Sequence, residues 1–114
     1  MKTYTLQDQT HAFVEASPQK FYLNGEWQAS EKAIDVIDPA TATVITQVSL
    51  AQPDDVANAV GSAESAFKAW SKTDPSERAG LLRKLAELIR RDLPILAELE
   101  SIDVGKPIWR SRGL

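Results

Sequence analysis

Apolar and polar positions follow two different rhythms along the chain. From Pro53 onward, apolar residues recur every three or four positions, the spacing of one helix face. Val56, Ala59, Val60, Ala63, Ala66, Phe67 and Trp70 form the first such face. Pro53 suits the first helical position because its missing N–H would have no partner there, and Asp54 and Asp55 place negative charge at the positive end of the helix dipole. A second helix is predicted to start at Asp74-Pro75-Ser76-Glu77, an N-cap, a first-turn proline and an acid in the manner of a capping box. Its face runs through Leu81, Leu82, Leu85, Ala86, Leu88 and Ile89 and resumes at Ile95, Leu96, Leu99 and Ile102. Pro94 lacks an N–H, so a kink or restart is expected near Asp92–Leu93; Gly105 is placed to end the helix and Pro107 to prevent its resumption.

Upstream the rhythm is that of short strands. Phe21-Tyr22-Leu23-Asn24-Gly25-Glu26-Trp27 is a hairpin signal, since Asn-Gly tolerates the positive φ angles of a type I′ turn and aromatic residues flank it. Tyr22 and Trp27 are expected to pair across the strands. Ala33–Ile37 and Thr43–Leu50 read as two further strands about the turn Asp38-Pro39-Ala40-Thr41, with Val44, Thr46, Val48 and Leu50 on one face of the second. Residues 1–18 are polar with scattered apolar positions and are expected to form a flexible or loosely docked arm, with His11 exposed. The predicted fold class is α+β: short antiparallel strands and a hairpin, then two long amphipathic helices, the second kinked at Pro94.

Composition narrows the function more by exclusion than by indication. At 114 residues the chain is one domain or a piece of one. A net charge of −3 argues against a general nucleic-acid binder and gives no reason to expect an anionic membrane surface as partner. The sequence holds no cysteine and one histidine, which removes a thiolate nucleophile, Cys-based metal sites and most histidine relays. No apolar run approaches the roughly 20 residues of a membrane span. The opening residues lack a signal core and the Arg-rich character of a transit peptide, so the expected location is the cytoplasm.

Candidate chemistry is thin. Neither G-x-G-x-x-G nor G-x-x-x-x-G-K-[ST] occurs, and Gly105-Lys106-Pro107 closes a helix, where the dipole repels phosphate. Lys106 is read as a C-terminal cap and Asp54 and Asp55 as N-terminal ones. Glu98 and Glu100 are two apart and do not share a helix face. The basic set Arg78, Arg83, Lys84, Arg90 and Arg91 is interleaved with Glu77, Glu87, Asp92 and Glu98, as on a solvated face with local ion pairs. Asp103 stands where the helix ends and backbone carbonyls become free, a position suited either to capping or to helping hold a cation.

Taken in order, these residues resemble the N-terminal segment of the NAD(P)-dependent aldehyde dehydrogenase superfamily. Phe21–Trp27 resembles the family's opening strand and turn, and Val36-Ile37-Asp38-Pro39-Ala40-Thr41 its "NPAT" segment, with Asp38 where Asn is usual. Asp55–Val60 with Ala63, Phe67 and Trp70 is similar to its first helix; Glu77-Arg78-Ala79, Leu82–Ala86 and Leu99–Pro107 are similar to its second helical region. Each motif alone is weak, and their order and spacing are specific.

The resemblance implies oxidation of an aldehyde to a carboxylic acid: a cysteine thiolate adds to the aldehyde, hydride passes to NAD or NADP, and a glutamate-activated water releases the acid. The residues that do this lie in later segments of the family, so no catalytic and no cofactor-binding residue is carried over. The chain is expected to be inactive alone and not to bind the cofactor by itself. A monovalent cation site is implied at Val36, Ile37 and Asp103, incomplete without a further ligand from a later segment. The sequence stops soon after a helix terminus, at Ile108–Leu114, as an interrupted chain would. Residues 19–114 are therefore expected to be a partial cofactor-domain segment. Its partner would be the remainder of the dehydrogenase fold or a complementary chain, within a family of homo-oligomers. The alternative reading is a non-enzymatic helical interaction module that docks onto a partner chain. The helix faces at Phe67, Trp70, Leu85, Leu96 and Trp109 would lack their usual cover, so weak stability or self-association is expected.

Overall fold

A computed structural model describes residues 4–113. The elements follow in the order α1 (Asp8–Glu15), β1 (Phe21–Leu23), β2 (Glu26–Gln28), β3 (Ala33–Ile37), β4 (Val44–Ser49), α2 (Pro53–Trp70), α3 (Pro75–Val104) and α4 (Ile108–Ser111). The strands form two separate antiparallel pairs, β1 with β2 and β3 with β4, so the architecture is α+β. Among the described residues no helix is long and apolar enough to cross a membrane.

The turn chemistry acts where the sequence places it. Asn24 and Gly25 have φ of 50° and 86°, the two positive angles a tight hairpin turn needs. Tyr22 lies opposite Trp27, their rings 5.2 Å apart and edge-on. α2 starts at Pro53, and the Gln52 N–H donates to the Asp55 carboxylate at 2.8 Å. Asp74 caps α3 by accepting from the Ser76 N–H at 2.7 Å and from the Ser76 hydroxyl, and these bonds hold its carboxyl below its ordinary pKa. Gly105 ends α3 with φ of 72°, its N–H bonded to the Ser101 carbonyl at 3.0 Å. α3 continues through Pro94 as one helix rather than restarting there. The Arg90 carbonyl forgoes its usual partner because proline has no N–H to offer.

Two segments hold features that the apolar pattern does not announce. In β4 the register shifts: Val36 pairs with Thr46 but Ile37 with Val44, which leaves Ile45 as an extra residue. Two neighbours then oppose one, and the strict alternation fails. Val44 is exposed, while Ile45, Thr46 and Val48 are all partly covered. The second is in the opening segment, read as a flexible or loosely docked arm over residues 1–18, of which 1–3 lie outside the described residues: the structure carries α1 there. Apolar spacing does not announce this helix. Thr10 and Val14 are its buried residues, and α1 rests on α3 and β4.

The core is small and lies at one end. Its buried apolar residues are Val14 of α1 and Ala97 and Ile102 of α3, with Thr10, Asp38 and Ser111 as buried polar companions. α2 has no buried residue: Phe67 is 64% and Trp70 48% exposed, and Val56 and Val60 are open as well. On α3, Leu81, Leu82, Leu85, Ile89 and Leu96 are exposed too. The radius of gyration is 17.3 Å, against about 13 Å for a compact domain of this length. Each large side chain left in water forgoes about 1.5–3 kcal/mol of burial.

Two measurements follow from this packing. In sedimentation runs over a concentration series, the chain is expected to self-associate, and Phe67→Lys is expected to reduce that association while changing monomer stability by less than about 0.5 kcal/mol. A concentration-independent monomer with a sharp melt would contradict the exposure of α2. Gly105→Ala is expected to destabilise the fold by about 1–2 kcal/mol in denaturant titration. The left-handed φ disfavours a side chain, and an added Cβ would lie 3.2 Å from the Pro39 ring.

Candidate functional site

The described residues bring the polar groups of interest together at the C-terminal end of α3. The last turn of that helix meets the β3–β4 pair, and Gly105 lies against Pro39 closely enough that only glycine fits without adjustment. This contact sets the helix end beside the turn Asp38-Pro39-Ala40-Thr41.

Asp38 is the anchor of that turn. It is 1% exposed and its carboxylate accepts three bonds: from the Tyr4 hydroxyl at 2.5 Å, the Ala40 N–H at 2.7 Å and the Thr41 hydroxyl at 3.0 Å. The Tyr4 bond, with those from Ala40 and Thr41, holds the Asp38 carboxyl below its ordinary value. The same bond, aided by burial and by the carboxylate charge, pushes the Tyr4 phenol up to about 12. A buried carboxylate at this position is satisfied because it is an Asx-type turn residue whose remaining lone pair is met by a phenol far away in sequence.

Of the cation ligands implied by resemblance, Val36 and Asp103 line one cavity of about 420 Å³, together with Phe13 and Val14 of α1 and Ile45 and Thr46 of β4. Ile37 is not among the residues that line it, and its side chain is exposed. The register shift falls between Val36 and Ile37 and interrupts the ladder at the two residues whose carbonyls the site would use. The Thr46 hydroxyl is buried without a hydrogen-bond partner. Among the described residues no group of three or more His, Cys, Asp or Glu side chains could hold a metal. One carboxylate with backbone oxygens suits an ion of single charge better than a divalent one, which collects several carboxylates.

The other residues singled out in the sequence make local contacts. Glu100 pairs with Lys106 at 2.8 Å, so Lys106 serves an ion pair rather than the helix carbonyls. His11 is exposed and faces Glu15 at 3.3 Å. Arg78 donates to the Thr73 carbonyl at 2.9 Å, Lys84 meets Glu87 at 3.4 Å and Arg91 meets Asp92 at 2.8 Å, as a solvated face with local pairs should. Glu98, read with that solvated face, departs from it: it accepts from the Gln7 N–H, the Gln7 side-chain amide and the Thr10 hydroxyl, all across about ninety residues. Burial pushes its carboxyl up, but the bonds from Thr10 and Gln7 outweigh this and leave it net below its ordinary value. A carboxylate within an otherwise apolar turn of α3, Ile95 to Leu99, was the signal available.

The Tyr4–Asp38 pair gives a direct test. With tyrosine labelled for NMR, the Tyr4 resonance is expected to titrate near pH 12 and, in Asp38→Asn, to move back toward 10. Asp38, with a lowered pKa, contributes stability above its ordinary 3.8 that is lost as pH falls through the depressed value. Tyr4, with a raised pKa, contributes stability below 10 that is lost as pH rises toward about 12. An unshifted Tyr4 would show that the bond is not made in solution.

A family model described as the aldehyde dehydrogenase family matches residues 27–113. The mitochondrial aldehyde dehydrogenase of Equus caballus is 41% identical over 99 residues, a match to 79% of this chain and 20% of that protein. Malonate-semialdehyde dehydrogenase 1 of Shouchella clausii is 41% identical over 102 residues, 88% of this chain and 21% of its own length. Among solved structures, the NAD+ complex of an aldehyde dehydrogenase from Bacillus cereus superposes with a TM-score of 0.92 at 34% identity, over 98% of this chain and 23% of that one. The chain thus spans about a fifth of the length of the relatives it matches.

Proposed function

We propose that the chain, which belongs to the aldehyde dehydrogenase family, is the N-terminal scaffold segment of an NAD(P)-dependent enzyme that oxidises an aldehyde to a carboxylic acid. The observation that carries this reading is the match of nearly the whole fold to about a quarter of a dehydrogenase, with no cysteine in the sequence to serve as nucleophile. When bound, the nicotinamide accepts the hydride. This segment's own residues neither cradle the dinucleotide nor attack the aldehyde. They present the apolar faces of α2 and α3 to the part of the enzyme that does both.

Within that reading, residues 19–114 are a partial cofactor-domain segment and the full enzyme is a homo-oligomer in the cytoplasm. Val36, Ile37 and Asp103 supply part of a monovalent cation site completed from outside this chain. The shared cavity of Val36 and Asp103 and the interrupted ladder support the site. A second reading, a non-enzymatic helical module that docks onto a separate chain, is favoured by the wholly unburied apolar face of α2. The intact mass of the native polypeptide separates the two, since a product several times heavier carries the cover for α2 in the same chain.

Activity is tested by complementation. The chain alone, given a short aldehyde and NAD or NADP, is expected to form no reduced nicotinamide above the protein-free background. Mixed with a separately produced remainder of a family enzyme, it is expected to restore turnover that neither piece shows alone. Turnover by the chain alone would overturn the scaffold reading.

A further inference from the structure

α1 is fastened at its two ends by different means. At its C-terminal end the Gln19 side-chain amide donates to the Phe13 and Ala16 carbonyls, while the Gln19 backbone pairs with β4, its N–H to the Gln47 carbonyl at 2.7 Å and its carbonyl to the Ser49 N–H at 2.9 Å. That end is tied into the sheet. At its N-terminal end α1 has no cap of its own: Gln7, the residue at the cap position, makes no side-chain capping bond. The capping anion comes from another element. Glu98 of α3 accepts from the Gln7 N–H at 3.1 Å, the Gln7 amide at 2.9 Å and the Thr10 hydroxyl at 2.6 Å, so one carboxylate closes the positive end of the helix and docks it. Thr10 is fully buried beneath this contact. Just upstream, Tyr4 makes the only other polar attachment described for this stretch, to Asp38.

Between the hinge and the latch, Phe13 and Val14 form one wall of the cavity that Val36 and Asp103 line from the other sides. We propose that the segment Tyr4–Glu15 is a detachable strap, hinged at Gln19 and latched by Glu98 and Asp38, whose release opens the cavity at the β3–α3 junction. A few polar bonds hold the latched end, and little apolar area does: Val14 is the one buried apolar residue of α1, and Phe13 is half exposed. Contacts of this kind let a segment open on its own without unfolding the rest. Release of the strap requires neither a cation in the cavity nor catalysis.

The absence of native cysteine makes a clean test. Val36→Cys places a thiol in the cavity wall, and Val44→Cys places a reference thiol on an exposed position of β4. Each is combined with the latch changes Tyr4→Phe and Glu98→Ala, and the rate of reaction with an aromatic disulfide reagent is followed. Hydrogen exchange and far-ultraviolet circular dichroism are recorded on the same samples. Releasing the latch is expected to speed reaction at position 36 about tenfold or more and leave position 44 unchanged. Amides of α1 should exchange faster while those of β3, β4 and the last turns of α3 keep their protection. An unchanged rate at position 36 would overturn the proposal, as would α1 amides that stay protected. Loss of protection throughout would also overturn it, by showing that α1 belongs to a single cooperative unit.

Discussion

The close contact between Gly105 and Pro39 is the constraint on which the rest of the structure depends. A helix of thirty residues must stop and meet a tight turn from sixty-six positions earlier, and a side chain at Gly105 would hold the two apart. The left-handed φ of Gly105 ends α3 there, and the absence of a Cβ lets the Pro39 ring approach. Several features then follow. Ile102 becomes buried, Asp103 comes to share a cavity with Val36, and α4 folds back so that the Ser111 hydroxyl, fully buried, meets that of Ser101 at 3.1 Å. The polar anchor of the turn, Asp38, is satisfied by Ala40, Thr41 and Tyr4, which keeps Pro39 in place to receive the helix end.

That junction is well packed, whereas the other half of the molecule leaves its apolar faces open. α2 and the first half of α3 have good local signals, with prolines in their first turns, acids beside them and an Asp74 cap, yet their apolar stripes lie in water. Local propensity and caps each contribute of order 1 kcal/mol, while the burial forgone across Val56, Val60, Phe67, Trp70, Leu82 and Leu85 is several times larger. Helix stability comes mostly from packing of the apolar face, and these faces have no cover among the described residues of a chain that spans about a fifth of its relatives' length.

Much of the fold was legible in the sequence because its signals are local. Pro53, Asp74 and Gly105 mark helix ends through backbone groups that must be capped or omitted, and Asn24-Gly25 marks a turn through allowed φ. What escaped was set by contacts distant in sequence. α1 lacks an apolar stripe and is held by Glu98 of α3, so no window around residues 8–15 contains its cause. The register shift at Ile45 moves Val44 out and Ile45 in, against an alternation that the residue types alone would favour. Of the candidate site, Asp103 was marked by its place at a helix end, whereas its proximity to Val36 depends on the Gly105–Pro39 contact.

The pairing of Glu98 and Glu100 shows the same division at close range. Two acids two positions apart point to different faces, and the sequence supports only that statement. In the structure, Glu100 reaches forward to Lys106 and Glu98 reaches across to the start of α1. Exchanging their environments would cost little in helix propensity, since both are glutamates on one helix. The difference lies in what each carboxylate leaves unsatisfied if removed. Loss of Glu100 frees a lysine that water can solvate. Loss of Glu98 strands the buried Thr10 hydroxyl and uncaps α1 at once. Residue type alone therefore says little about which acid is structural, and the decisive quantity is the solvation available to its donors.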